Sequence, residues 1–182
     1  MGMLLPSIDG RMIDRRRLIH LTLAAALSPV ACLTLGSATQ AQQAFQRFFP
    51  LLIELPGWQG NKPDGLAMEV PNSRMISATR EYQRGEARLN AQVLIGAAAE
   101  GAVAAANSGL KIETSEARMS TSTIDGLPVT RSFIINDKSG AVIVALGPSA
   151  VFMLSFDGIT DEEGLTLAKQ FNWKAIQAAV AK

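Results

Sequence analysis

One segment of this chain, residues 87–95, alternates between apolar and polar side chains and restricts the fold more than any other feature. Apolar residues stand at every second position, with polar residues between them: Ala87, Leu89, Ala91, Val93 and Ile95 alternate with Arg88, Asn90 and Gln92. This is the pattern of a strand with one buried face. Residues 75–84 alternate in the same way, and Gly85 separates the two segments. The sequence therefore predicts a hairpin of two antiparallel strands.

The rest of residues 42–182 adds further strand and helix patterns around this hairpin. Turn-forming residues fill positions 55–65, and strands are predicted at residues 66–70, 110–113, 118–124, 127–136, 141–146 and 150–156. Helical patterns cover residues 42–53, 96–107 and the C-terminal part, where Thr160 and Glu163 form a capping box and Asn172 caps a last short helix. We expect a single α+β domain, with one antiparallel sheet of about six or seven strands and helices packed on one face.

Residues 1–41 have the three-part pattern of a bacterial signal peptide. A run of arginines precedes a moderately apolar stretch, which ends in small residues. Small side chains at Thr39 and Ala41 suit cleavage by a signal peptidase just before Gln42. We therefore expect residues 1–41 to be a signal peptide and residues 42–182 to be one exported domain.

Arg15, Arg16 and Leu18 resemble the core of the twin-arginine export motif. In that motif a polar residue is followed by two arginines, any residue and two apolar residues, and Asp14 supplies the polar residue. The match departs from the family pattern at Leu18, where Phe is usual. The resemblance implies export by the twin-arginine machinery, processing by signal peptidase, a periplasmic location and only transient contact with the membrane. The general secretory route remains the alternative.

Three alternatives to a cleaved signal peptide stay open. Residues 18–35, if uncut, have about the minimum length of a membrane-spanning helix and would tether the domain. Cys32 stands as it would at the end of a lipobox, although Pro29 and Leu33 depart from that motif. Met12 is an alternative start residue, and a chain that begins there would have a shorter charged N-terminal region.

The rarest reactive side chains are confined to the export segment. His20 and Cys32 are the only His and Cys, so residues 42–182 contain neither an imidazole nor a thiol. This excludes from the exported domain a Ser-His-Asp triad, a Cys nucleophile, a His general base and zinc sites built from His or Cys. We therefore predict no cofactor, no metal and no catalytic residue set. An enzyme that uses carboxylates or a Lys is kept as an alternative.

The charge balance argues against a nucleic-acid partner. Four arginines against two aspartates give residues 1–41 a net charge of +2, while 13 Lys and Arg against 14 Asp and Glu give the remaining residues −1. Binding of nucleic acid depends on clustered basic residues that neutralise phosphates. A nearly neutral domain lacks the excess of basic residues that such binding requires.

The order of predicted elements over residues 55–180 resembles that of PsbP-like domains. An early strand pair, a central helix, a run of hairpin strands opened by residues 124–129 and a closing helix follow one another. The Pro-Gly-Trp turn that ends at Trp58 is similar to an early turn of such domains. These motifs have low specificity, and no functional residue carries over from them. The resemblance implies a small exported binding or assembly module more often than an enzyme.

Four residues form the candidate ligand or partner face: Arg80, Tyr82, Arg131 and Trp58. The two arginines and the tyrosine occupy the apolar phase of their strands, and arginine is a bidentate donor to anionic ligands. The Trp follows a turn and could stack on a ligand at the rim of a site. In the structural alternative, which we favour, Trp58 covers one end of the core and the arginines pair with nearby carboxylates at Glu81, Glu86 or Asp125.

The sequence is most consistent with an exported, non-catalytic binding or accessory module of the periplasm. Its partner is expected to be a periplasmic protein or a small ligand. The alternatives are an accessory subunit tethered to the membrane by an uncut N-terminal segment and a carboxylate- or Lys-dependent enzyme.

Overall fold

The computed structural model describes residues 44–70 and 73–182 of the chain. The predictions on residues 1–41 lie outside the described residues. Within these residues, nine strands form one sheet: β1 (Gln59–Gly60), β2 (Asp64–Val70), β3 (Ser73–Arg84), β4 (Ala87–Ile95), β5 (Lys111–Glu113), β6 (Ala117–Ile124), β7 (Leu127–Ile134), β8 (Ser139–Gly147) and β9 (Ala150–Asp157). The helices are α1 (Ala97–Ala106), α2 (Asp161–Ala168) and α3 (Trp173–Val180). Residues 44–46 are also helical, and a short 3-10 turn covers Phe49–Leu51.

The strands pair in the order β1-β3-β4-β9-β8-β7-β6-β5, and β2 also pairs with β3. Every pairing among the described strands is antiparallel. Strand β3 is long enough for β1 and β2 to pair with different parts of it. Most connections are hairpins. The connection from β4 to β5 instead crosses over the sheet, because β5 is the edge strand farthest from β1. This crossover contains α1.

Alternate side chains of the strands define two faces, and the main core lies on the one that we call the inner face. Helices α2 and α3 pack there, where the rings of Phe152 and Phe171 lie 4.9 Å apart and Leu154 and Ile176 are fully buried. Phe48, in the segment before β1, is also fully buried in this core. The inner face is therefore covered by two helices and by an N-terminal segment.

The opposite, outer face is partly covered by α1. Ala99 and Ala106 of this helix are buried, and the helix contacts β8 and β9, where the paired residues Ala145 and Val151 are buried outside the main core. Because Ala145 and Val151 alternate with inner-face residues, α1 must lie on the other side of the sheet. The expectation that the helices share one face is therefore wrong. An Ala-rich helix gives no signal of the face on which it packs, because its small side chains fit either surface.

The local predictions are largely confirmed, while the extent of the sheet is not. The predicted hairpin is β3 and β4, joined at Gly85. The hydroxyl of Thr160 accepts a hydrogen bond from the Glu163 amide at 3.2 Å, and the Asn172 side chain caps α3. The sheet has nine strands, more than the expected six or seven, and one of the additional strands, β1, forms within the turn-rich stretch. Among the described residues, no helix is long and apolar enough to cross a membrane.

Candidate functional site

Arg80 lies on the inner face of β3 and holds the segment that precedes the sheet. Only 8% of its side chain is exposed. Its Nε donates to the carbonyl oxygen of Asn61 and its Nη1 to that of Leu52, both at 2.8 Å, and its Nη2 pairs with the Glu54 carboxylate. A Cβ at Gly60 would lie 2.9 Å from the guanidinium, so the absence of a side chain there makes room for it. The inward phase of Arg80 thus has a structural explanation.

Tyr82 fixes the same segment from the next inner-face position of β3. Its hydroxyl donates to the carbonyl oxygen of Ile53 at 2.7 Å, and its ring meets Phe171 edge-on at 6.4 Å. Burial raises the pKa of this phenol well above its ordinary value, and the nearby Arg80 charge opposes the shift. The phenol therefore stays protonated and remains a donor.

Trp58 is buried at one end of the main core, with 7% of its surface exposed. The guanidinium of Arg84 lies 4.3 Å from the ring and also pairs with Glu163 of α2. A cation over an indole face contributes about 0.5–1 kcal/mol at partly exposed sites. Trp58 therefore lies beneath an ion pair that links β3 to α2. It covers one end of the core, as the structural alternative predicts.

Arg131 joins the sheet to the first turn of α2. Its Nε donates to Asp161 Oδ1 at 3.2 Å, and its Nη2 pairs with the other carboxylate oxygen. The expectation that the arginines pair with Glu81, Glu86 or Asp125 is wrong for both, because their partners are Asp161 and Glu54. Strands β4, β9 and β8 separate Arg80 on β3 from Arg131 on β7. The two arginines therefore do not form one site.

The outer face carries a different group of polar residues. They lie on the part of this face that α1 does not cover. Eight side chains form two rows across β1, β3, β4 and β9, and we call them the polar array. One row is Gln59, Gln83, Arg88 and Asp157, and the other is Asn61, Glu81, Asn90 and Ser155. The amide of Asn61 donates to the Glu81 carbonyl at 2.9 Å and so continues the pairing of β1. Neighbouring strands are about 4.8 Å apart, so each row spans about 14 Å.

All eight residues of the polar array line one cleft of about 430 Å³. Tyr82, Leu89 and Phe156 also line it, but their side chains are buried on the inner face, so backbone forms much of the floor. The volume is within the range of small-molecule sites, roughly 300–1,000 Å³. The cleft is therefore large enough for a small ligand, and eight of its lining residues have polar side chains.

Several hydrogen-bonding groups of the cleft have no partner among the residues that the structure describes. Asn90 Oδ1 accepts from the Thr79 hydroxyl at 2.9 Å, which leaves its NH₂ group available. Arg88 and Asp157 are directly paired in the sheet register, yet within the described part of the chain neither forms an ion pair. The cleft thus keeps both donors and acceptors for a ligand.

A second cavity of about 390 Å³ lies beside the start of α3. Asp125, Lys169 and Lys174 are its charged residues, and Trp173 is part of its wall. Its polar groups come from a turn and from helix ends, without a repeated arrangement such as that of the polar array. We therefore regard the outer-face cleft as the stronger candidate site.

The sequence interpretation missed the cleft because outward polar residues on a strand are the usual pattern of a solvated surface. Arg88 and Asn90 showed this pattern, but nothing local indicated that β1 and β9 would place their own polar residues beside them. Among residues 44–70 and 73–182, no group of three or more carboxylates is arranged to hold a metal ion.

The comparisons with known proteins add no family to this geometry. The chain matches no protein-family model, no curated protein and no solved structure. The likeness to PsbP-like domains and to twin-arginine signal peptides therefore stays a prediction, and the interpretation of the cleft depends on its own residues.

Proposed function

We propose that residues 42–182 form an exported, non-catalytic binding module whose ligand site is the outer-face cleft. The polar array carries the proposal, because eight polar side chains from four neighbouring strands line a single cleft of about 430 Å³. Such an arrangement offers many hydrogen-bonding groups on a rigid sheet. Arg80, Tyr82 and Arg131 have supporting roles on the inner face.

Binding accounts for the cleft better than catalysis does. Residues 44–182 contain no His and no Cys, and the carboxylates in the cleft are Glu81 and Asp157. Strand β4 separates their strands and they stand in different rows, so their backbone positions are roughly 12 Å apart. The two carboxylates are therefore not side by side in the sheet, and we assign them to hydrogen bonding with a ligand.

The exported part of the proposal is supported by residues 1–41 alone. Their charged front, apolar middle and small-residue end are typical of a signal peptide. A periplasmic ligand is the partner that this location makes accessible. An uncut N-terminal segment would leave the same cleft on a membrane-tethered subunit.

The experiment fills the cleft and compares it with a matched surface change. Ser155→Phe places a ring in the cleft, whereas Ser132→Phe makes the same change at another half-buried outer-face position outside it. A thermal-shift screen of sugars, amino acids, organic acids and polyamines would identify ligands, and titration calorimetry would measure their affinity. We expect Ser155→Phe to abolish binding and Ser132→Phe to retain it. Equal binding by both variants, or no ligand in any class, would overturn the proposal.

A further inference from the structure

We infer that the outer-face cleft receives a neutral, polyhydroxylated ligand, a saccharide or a polyol. The inference rests on the proposed function and names the chemical class of its ligand. It follows from the types of hydrogen-bonding groups in the polar array, from the placement of its charges and from the shape of the cleft.

Side-chain amides make up half of the polar array, and their hydrogen-bonding groups suit hydroxyl groups. Gln59, Asn61, Gln83 and Asn90 each carry a carbonyl oxygen and an NH₂ group, so each both donates and accepts, as a hydroxyl does. The Gln83 NH₂ group already donates to the Gly85 carbonyl oxygen at 3.1 Å, which leaves its second N–H and its carbonyl oxygen for a ligand. The Thr79 hydroxyl donates to the Asn90 carbonyl oxygen, and the Asn90 NH₂ group has no partner among the described residues. Ligand hydroxyls can satisfy donors and acceptors of this kind at the same time.

The charges of the cleft disfavour an ionic ligand. Arg88 is the single cation among the described residues that line it, and it lies directly opposite Asp157 and diagonally opposite Glu81. An anion at Arg88 would meet both carboxylates, and a cation at either carboxylate would meet Arg88. A neutral ligand avoids both repulsions, because its hydroxyls donate to the carboxylates and accept from the guanidinium. Carboxylate and guanidinium groups also bind bidentately, which suits adjacent hydroxyls.

The shape of the cleft sets the expected affinity. Each row spans about 14 Å, which allows contact with several hydroxyls along an extended ligand. The aromatic side chains that line the cleft, Tyr82 and Phe156, are at least 96% buried, so a sugar ring finds no aromatic face on which to stack. We therefore expect specific but weak binding, with a dissociation constant of roughly 1 mM.

The test uses defined probes and variants that differ within one strand. Maltotriose, cellotriose and sorbitol would be titrated at millimolar concentrations and followed by amide chemical shifts, with glutamate, citrate and spermidine as ionic probes. We expect at least one neutral probe to shift amides of the polar array. Asn90→Ala should weaken that binding by about tenfold, corresponding to the loss of a specific hydrogen bond. Gln92→Ala, on the same face of β4 but outside the cleft, should change it less than about twofold.

The outcomes separate the ligand class from the proposed function. Binding of an ionic probe in the cleft, with no response to the neutral probes, would overturn the polyhydroxylated ligand and leave the binding module intact. If none of the neutral probes binds, the inferred ligand class is also wrong. The thermal-shift screen described above would then decide whether the cleft is a ligand site. Equal loss of binding in Asn90→Ala and Gln92→Ala would show that the cleft is not the site.

Discussion

Arg80 is a buried arginine that helps to attach the segment before β1 to the sheet. Arg80 satisfies two backbone carbonyl groups and one carboxylate with one side chain. A buried guanidinium is stable only when its donors have partners. The Leu52 carbonyl group in turn depends on Arg80, because their contact is buried and a buried acceptor without a partner costs about 1–3 kcal/mol.

Arg80→Met tests this attachment. Methionine keeps much of the apolar volume but donates no hydrogen bond, so we expect the free energy of unfolding to fall by about 3 kcal/mol. Arg131→Met removes only the ion pair with Asp161. Both side chains of that pair are partly exposed, so the free energy of unfolding should fall by about 1 kcal/mol. Denaturant titration of both variants measures the difference. If Arg80→Met costs no more than Arg131→Met, the carbonyl contacts of Arg80 contribute little to stability.

Tyr82 makes stability depend on pH in the alkaline range. Its pKa is raised in the folded protein, so folding favours the protonated phenol. The stabilisation from Tyr82 is fully present below its unfolded pKa of about 10 and is lost as the pH rises through the folded pKa. Tyr82 is the only tyrosine in the chain, so phenolate absorbance in the near ultraviolet reports this group alone.

We expect little phenolate absorbance at about pH 11 in the folded protein and full absorbance in denaturant. Tyr82→Phe should reduce the loss of stability above about pH 10, when unfolding is compared at matched pH values. Lys and Arg also approach their titration ranges there, and the comparison between the two proteins cancels their shared contribution. Phenolate formation near pH 10 in protein that is still folded would contradict the raised pKa.

At the scale of elements, helix α2 begins where the sequence predicts. Thr160 caps its amide groups, and acidic residues fill its first turn, which suits the positive end of the helix dipole. Local patterns of this kind need no knowledge of the rest of the chain. They are therefore the part of the fold that a single sequence determines best.

Thr160→Ala should lower the free energy of unfolding by about 1 kcal/mol, because it removes the side-chain acceptor at the N-cap. Thr166→Ala, in the same helix, is the matched control. The Thr166 hydroxyl donates back to the Glu162 carbonyl within the helix, and alanine is the better helix former, so its effect should be near zero or slightly stabilising. Thermal or denaturant unfolding compares the two. Similar losses in both would argue against the cap.

The connection between β4 and α1 shows a constraint of a different kind. Gly96 has a φ of 113°, and a Cβ there would lie 2.0 Å from the carbonyl oxygen of Arg74. Only glycine permits both this conformation and this close approach. The turn directs the chain onto the outer face, where α1 begins its crossing.

At the scale of the whole molecule, the export prediction depends on the N-terminal arginines. Lysine keeps their charge but lacks the guanidinium fork, so we expect the Arg15→Lys, Arg16→Lys double variant to disappear from the periplasmic fraction. Arg11→Lys lies outside the motif and should be exported normally. Intact mass of the exported protein should show an N-terminus near Gln42. Normal export of the double variant would indicate the general secretory route.

The placement of whole strands explains why the candidate site was not predictable. Arg88 and Asn90 were correctly assigned to the polar side of a strand, and Ser155 and Asp157 lie in or beside another predicted strand. Their proximity depends on β9 inserting next to β4, a pairing between distant parts of the chain. A local pattern specifies which way a side chain points, but it does not specify the neighbouring strand.

The sequence by itself determined most of the strand and helix segments, the β3–β4 hairpin, the helix caps and the inward phase of Arg80 and Arg131. These features follow from short-range periodicity and from hydrogen bonds within a few residues. Only the tertiary structure decided the strand order, the face on which α1 packs, the partners of the two arginines and the assembly of the polar array. Each of these depends on contacts between distant segments, whose energies arise only when the whole sheet has formed.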